Sequence, residues 1–106
     1  MNWKAAVQAV AEGKATPLDG VPVLDPAKVP GILYYVAVGK SPHGMDVDPT
    51  GKWISAGGKL QPTATVLNFE KIQQAIAKKD FEGDLRGVPI LKHESVTSQM
   101  VCLDEL

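Results

Sequence analysis

The segment Lys40–Leu67 reads KSPHGMDVDPTGKWISAGGKLQPTATVL, and its turn chemistry sets the architecture expected around it. Met45 and Val47 alternate with Gly44, Asp46 and Asp48, the period-2 pattern of a half-buried strand. Asp48-Pro49-Thr50-Gly51 follows as a turn: the carboxylate accepts from backbone amides, proline presets φ and glycine admits a positive φ. Trp53–Ala56 then returns as the hairpin partner, and Gly57-Gly58 frees the backbone for the next corner. Pro62 marks the entry to a strand over Thr63–Leu67, with Thr63, Thr65 and Leu67 on one face and Ala64 and Val66 on the other. Short strands at this spacing fit a propeller blade and fit a small α+β sheet equally well.

Outward from this meander, the chain adds two helices and little else that is regular. Trp3, Ala6, Val7 and Val10 fall at helical spacing behind Asn2 and ahead of Gly13, which predicts a helix over residues 3–12 with those four as its inner stripe. Lys14–Gly20 reads as a polar loop and Val21–Leu24 as an edge strand interrupted by Pro22. Ile32–Val38, the most apolar run, predicts a buried strand. Asn68 caps a second helix over Phe69–Lys79, with Phe69, Ile72, Ala75 and Ile76 facing inward. Asp80–Gly87 reads as a charged loop, Val88–Leu91 as a last strand, and the tail from Ser95 has no clear period. The expectation is a single small α+β domain over residues 1–106, with residues 97–106 irregular.

Composition excludes several functions. A net charge of −1 and no basic stripe argue against a nucleic-acid binder. No window approaches the roughly 20 apolar residues of a membrane span, and no signal peptide is expected at the N-terminus. One cysteine, Cys102, cannot form an internal disulfide. Asp46, Asp48 and Asp84 read as solvated groups or turn caps. Lys52 and Lys59 lack the glycine spacing of a phosphate loop. No Ser/His/Asp set or carboxylate pair stands out.

The order of three motifs is more specific. Ser41-Pro42-His43-Gly44, then Asp48-Pro49-Thr50-Gly51-Lys52, then Gly58-Lys59-Leu60-Gln61-Pro62-Thr63 resembles nitrous-oxide reductase. Asn2-Trp3-Lys4, Gly31-Ile32-Leu33-Tyr34, Phe69-Glu70-Lys71-Ile72 and Gly87-Val88-Pro89-Ile90-Leu91 look like that family's non-classical branch. The resemblance implies a short antiparallel meander amounting to one to two blades of the family's seven-bladed N-terminal β-propeller, with two flanking helices. It implies that His43 matches one of seven histidines that hold a copper–sulfide cluster. Intact members are periplasmic, carry a second, dinuclear copper centre and bind structural calcium.

Several departures matter. Ser41 stands where relatives often have an asparagine that helps bind the calcium. His93 stands where they tend to have an aromatic residue. The chain has two histidines and one cysteine, so six of the seven cluster ligands and the cysteine pair of the second centre have no counterpart in it. The resulting expectation is a non-catalytic fragment or relic without cofactor, self-associating into a homo-oligomer, with no nucleic-acid or membrane partner. The alternative is a small metal- or ligand-binding module that uses His43 across an oligomer. Without a metal, His43 is a turn histidine and Cys102 a bystander thiol.

Overall fold

The computed structural model describes the backbone of residues 1–102 and the side chains of residues 1–97. Within them the chain is α+β, with three helices and nine strands. It divides into two units, each described in turn: Met1–Tyr35 with Gly83–Ile90, and Val36–Glu82 with the residues from Leu91 onward.

The first unit opens with helix α1, Trp3–Ala11, where the Asn2 side chain accepts from the Ala5 amide at 3.2 Å. Gly13, at φ +77°, follows its end, as a helix stop requires. The inner face differs from the expected stripe. Ala6 and Ala9 are buried with Val29 and Ile32, while Trp3, Val7 and Val10 are exposed. The alanines let the helix approach closely, so the buried face is turned about a quarter-turn from the larger apolar residues. Ile32 serves this cluster from a turn, and its carbonyl accepts from the Asn2 amide at 2.8 Å. The predicted strand over Ile32–Val38 therefore shrinks to β3, Tyr35–Val36.

Lys14–Gly20 is not simply a loop. β1, Thr16–Leu18, pairs antiparallel with β2, Val21–Val23, through Asp19-Gly20, both at positive φ. That is the primed turn that suits the twist of a two-residue hairpin. The same device recurs at Arg86-Gly87, between β7, Phe81–Leu85, and β8, Val88–Leu91. There Asp84 Oδ2 accepts from the Gly87 amide at 2.9 Å, so the expected charged loop is a strand and a capped turn. These strands form a sheet in the order β3-β8-β7.

The second unit carries the meander. β4, Pro42–Val47, pairs antiparallel with β5, Trp53–Gly58, and β5 with β6, Thr63–Asn68. Helix α2, Phe69–Lys78, follows under an Asn68 cap and ends at Lys79 in the left-handed conformation. A short helix α3, His93–Val96, leads into β9, Thr97–Cys102, which returns antiparallel to β6. The sheet order is β4-β5-β6-β9. A strand thus replaces the irregular tail expected over Thr97–Cys102.

On β6 the alternation is as read, with Thr63, Thr65 and Leu67 buried and Ala64 and Val66 half-buried. α2 packs on β6 and α3, and the buried core of the unit comprises Ala56, Leu67, Ala75, Leu91 and Val96. Of the expected α2 stripe, Ala75 is buried, Ile72 and Ile76 are half-buried and Phe69 is exposed. The expected half-burial of β4 also fails, since all six of its residues are exposed. As the outer strand of the sheet it lies beyond the reach of the helix that covers β6.

Two buried threonines make a paired prediction. Thr65 Oγ1 accepts from the Gly39 amide at 3.3 Å, whereas Thr63 Oγ1 makes no hydrogen bond among the described residues. Thr65→Val strands a buried N–H and is expected to cost about 1–3 kcal/mol. Thr63→Val removes a hydroxyl that has no partner among the described residues and should be neutral or stabilising. Urea unfolding of the two variants checks the contrast.

Candidate functional site

His43 owes its position to three local features. Ser41 enters the strand at φ +54°, a left-handed backbone that asparagine adopts more readily than serine. Pro42 pairs with Gly58 and Gly44 with Gly57, so the chain advances two residues on β4 for one on β5. His43 is therefore the extra residue of a β-bulge, a device that bends a strand and re-aims a side chain. The bend is held from the β5–β6 corner. Lys59 N donates to Ser41 O at 2.9 Å, Leu60 N to Lys40 O at 3.2 Å, and Lys40 N to Gln61 Oε1 at 2.9 Å. The His43 side chain is exposed.

At the other end of β4 the Asp48 turn forms as read. Thr50 Oγ1 donates to Asp48 Oδ2 at 2.6 Å, and the Lys52 and Trp53 amides donate to Oδ1, each at 3.1 Å. Gly51 sits at φ +73°. The Thr50 hydroxyl first, then the Trp53 amide, hold the Asp48 carboxyl below its ordinary range. A depressed carboxyl stabilises the fold above the unfolded-state value of about 3.9, and that contribution is lost as pH falls through the lower folded value. The wild type should therefore outlast Asp48→Asn in thermal melts at pH 7, with the gap narrowing below about pH 4. A constant gap across this range would place the effect elsewhere.

His93, at the start of α3, faces structure instead. Its Nδ1 lies 3.2 Å from the Ala37 carbonyl and 3.2 Å from Thr97 Oγ1, so an Nδ1–H there can donate to either oxygen. The ring ties α3 to the segment ahead of β4. The Cys102 side chain lies outside the described ones, and so does the reading of it as a bystander thiol. One polar groove, of about 220 Å³, lies between Lys71, Gln74 and Lys78 of α2 and Asp80, Glu94 and Ser95. Its two ammonium and two carboxylate groups balance, which gives it no preference for an anion or a cation.

Among the described residues no three His, Cys, Asp or Glu side chains come together in a way that could hold a metal ion. A multinuclear copper cluster needs several preplaced ligands at once. His43 and its described surroundings do not by themselves fit that group.

The fold and site together define an α+β chain that presents one histidine on the bulged outer strand of a four-stranded antiparallel sheet. Comparison supplies the lineage. The chain is 37% identical over 70 residues to the nitrous-oxide reductase of Pseudomonas fluorescens, covering 60% of this chain and 11% of that protein. It is 34% identical over 74 residues to the enzyme of Cupriavidus necator, covering 65% and 12%. With that of Stutzerimonas stutzeri the identity is 39% over 62 residues, covering 55% and 10%. No protein-family profile matches the chain. The chain is related to nitrous-oxide reductase and spans about a tenth of the length of these curated relatives.

Proposed function

We propose that these 106 residues form a non-catalytic unit related to the propeller of nitrous-oxide reductase, amounting to one to two blades, that self-associates. The four antiparallel strands in the order β4-β5-β6-β9 support the blade reading, since a blade is a four-stranded antiparallel sheet. The observation that carries the absence of catalysis is the ligand count. Two histidines, His43 on its exposed bulge and His93 bonded to Ala37 and Thr97, cannot supply the seven-imidazole set that the resemblance implies.

Nitrous-oxide reduction with an artificial electron donor, assayed before and after copper loading, is expected to show no turnover. Turnover that vanishes on His43→Ala would overturn the proposal. Self-association draws support from exposed apolar side chains on both units: Trp3, Val7 and Val10 on α1, and Met45 and Val47 on β4. Light scattering at micromolar concentration is expected to give more than the 11.3 kDa of one chain.

The bulge favours a second reading, a metal-binding module in which several copies bring their His43 imidazoles together. Imidazole suits copper, and a bulge that turns the ring outward leaves it free to ligate. A stoichiometric copper site that raises both the solution mass and the melting temperature supports this module; weak, displaceable copper does not.

A further inference from the structure

We infer that the outer edge of β4 pairs with β4 of a second copy, antiparallel, about a two-fold axis at Met45. This rests on the self-association proposed above and names its surface. The hydrogen-bond parity of β4 is the starting point. Asp48 N donates to Trp53 O at 3.0 Å, and Asp46 and Gly44 follow at two-residue steps opposite Ser55 and Gly57. In an antiparallel ladder, pairs that exchange hydrogen bonds alternate with pairs that do not. Asp48, Asp46 and Gly44 therefore face β5 with their backbone groups, and Met45 and Val47 turn their N–H and C=O groups to the open edge.

A second strand can join that edge only where outward residues meet outward residues, which restricts the possible registers. Centring the axis on Asp46 sets two like charges against each other, which is unfavourable. Centring it on Gly44 requires Val47 to pair with Ser41, whose left-handed backbone has left the strand. Centring it on Met45 sets Met45 against Met45, Gly44 against Asp46 and Val47 against His43, with no like-charge pair.

Charge also selects a copy of the same strand in the antiparallel sense. Lys40 precedes β4, while Asp46 and Asp48 lie at its far end. An antiparallel partner brings each basic end alongside an acidic end, and a parallel one would set like beside like. One self-complementary edge is enough to close a two-fold dimer. The missing N–H of Pro42, just before the bulge, confines the ladder to the His43–Val47 part of the strand, so the dimer is short and concentration-dependent.

The experiment uses the full chain with its one thiol removed, as Cys102→Ser, and adds single cysteines. Across the axis the Met45 Cα atoms come about 5.5 Å apart, within disulfide range. The Asp46 pair is offset by two residues, about 8 Å apart and out of range. Under mild oxidation Met45→Cys should crosslink roughly tenfold faster than Asp46→Cys. Val47→Lys, without any cysteine, should raise the dimer dissociation constant roughly tenfold while leaving the circular dichroism unchanged. A dimer with equal crosslinking at both positions, or one indifferent to Val47→Lys, overturns this interface and leaves self-association standing. A monomeric mass at hundreds of micromolar overturns both.

Discussion

Replacing Leu91 by alanine is expected to lower the unfolding free energy by about 2–5 kcal/mol, the usual cost of emptying a buried leucine site. Leu91 ends β8 and is 0% exposed, as is Val96 a few residues later. Among the described residues, the other wholly apolar positions buried in that unit are small, Ala56 and Ala75, or single, Leu67. Few of the described side chains in this core are large enough to help fill the hole. A protein of this size has only about 5–15 kcal/mol of stability in total, so the loss takes a large share of it. Leu60→Ala is the control. Leu60 is 65% exposed, and its loss should change stability by less than about 0.5 kcal/mol. Urea unfolding of both variants decides the matter; equal midpoints would mean that Leu91 is not the anchor of this unit.

What the sequence conveyed about the fold was its local chemistry. Asn2 and Asn68 cap helices where predicted, and the Asp48 turn and the alternation on β6 form as read. Those features depend on residues within a few positions of each other. The features that were missed are of two kinds. Leu18-Asp19-Gly20-Val21 carried a hairpin signal in its Asp-Gly step, and the polar residues around it obscured the short strands on either side. Other features had no local signal at all. β9 becomes a strand because β6 offers it an edge, and Ile32 leaves the expected strand because Ala6, Ala9 and Val29 need a plug. The inner face of α1 was misread because apolar bulk does not reveal which side a partner approaches.

The candidate site was legible in part. His43 could be singled out from the Ser-Pro-His-Gly step, and Ser41 as a departure beside it. The bulge could not be foreseen, because it is a mismatch between two strands and belongs to neither one alone. The same holds for His93, whose contacts with Ala37 and Thr97 depend on where α3 comes to rest.

The glycine pair at the end of β5 gives opposite outcomes at adjacent positions. Both were expected simply to free a corner; both lie in the strand, and the corner follows at Lys59–Pro62. A Cβ at Gly57 would meet nothing within 4 Å, so Gly57→Ala should stabilise by about 0.4–1 kcal/mol through the entropy of the unfolded chain. A Cβ at Gly58 would lie 2.9 Å from the Gln61 carbonyl oxygen and 3.3 Å from both Gly39 C and Lys40 O. All three atoms are backbone and cannot rotate away, so Gly58→Ala should cost about 1–3 kcal/mol, as overpacking does. The crowding has a consequence for His43. Residues 40–41 and 59–61 are the segments whose hydrogen bonds hold the start of β4, and prying them apart loosens the bulge. Thermal melts read the stability of each variant, and the amide shifts of Ser41, His43, Gly44 and Met45 read the bulge. Gly58→Ala should move those amides and Gly57→Ala should leave that of Ser41 in place; the same response from both would mean that the close approach at Gly58 does not position the histidine.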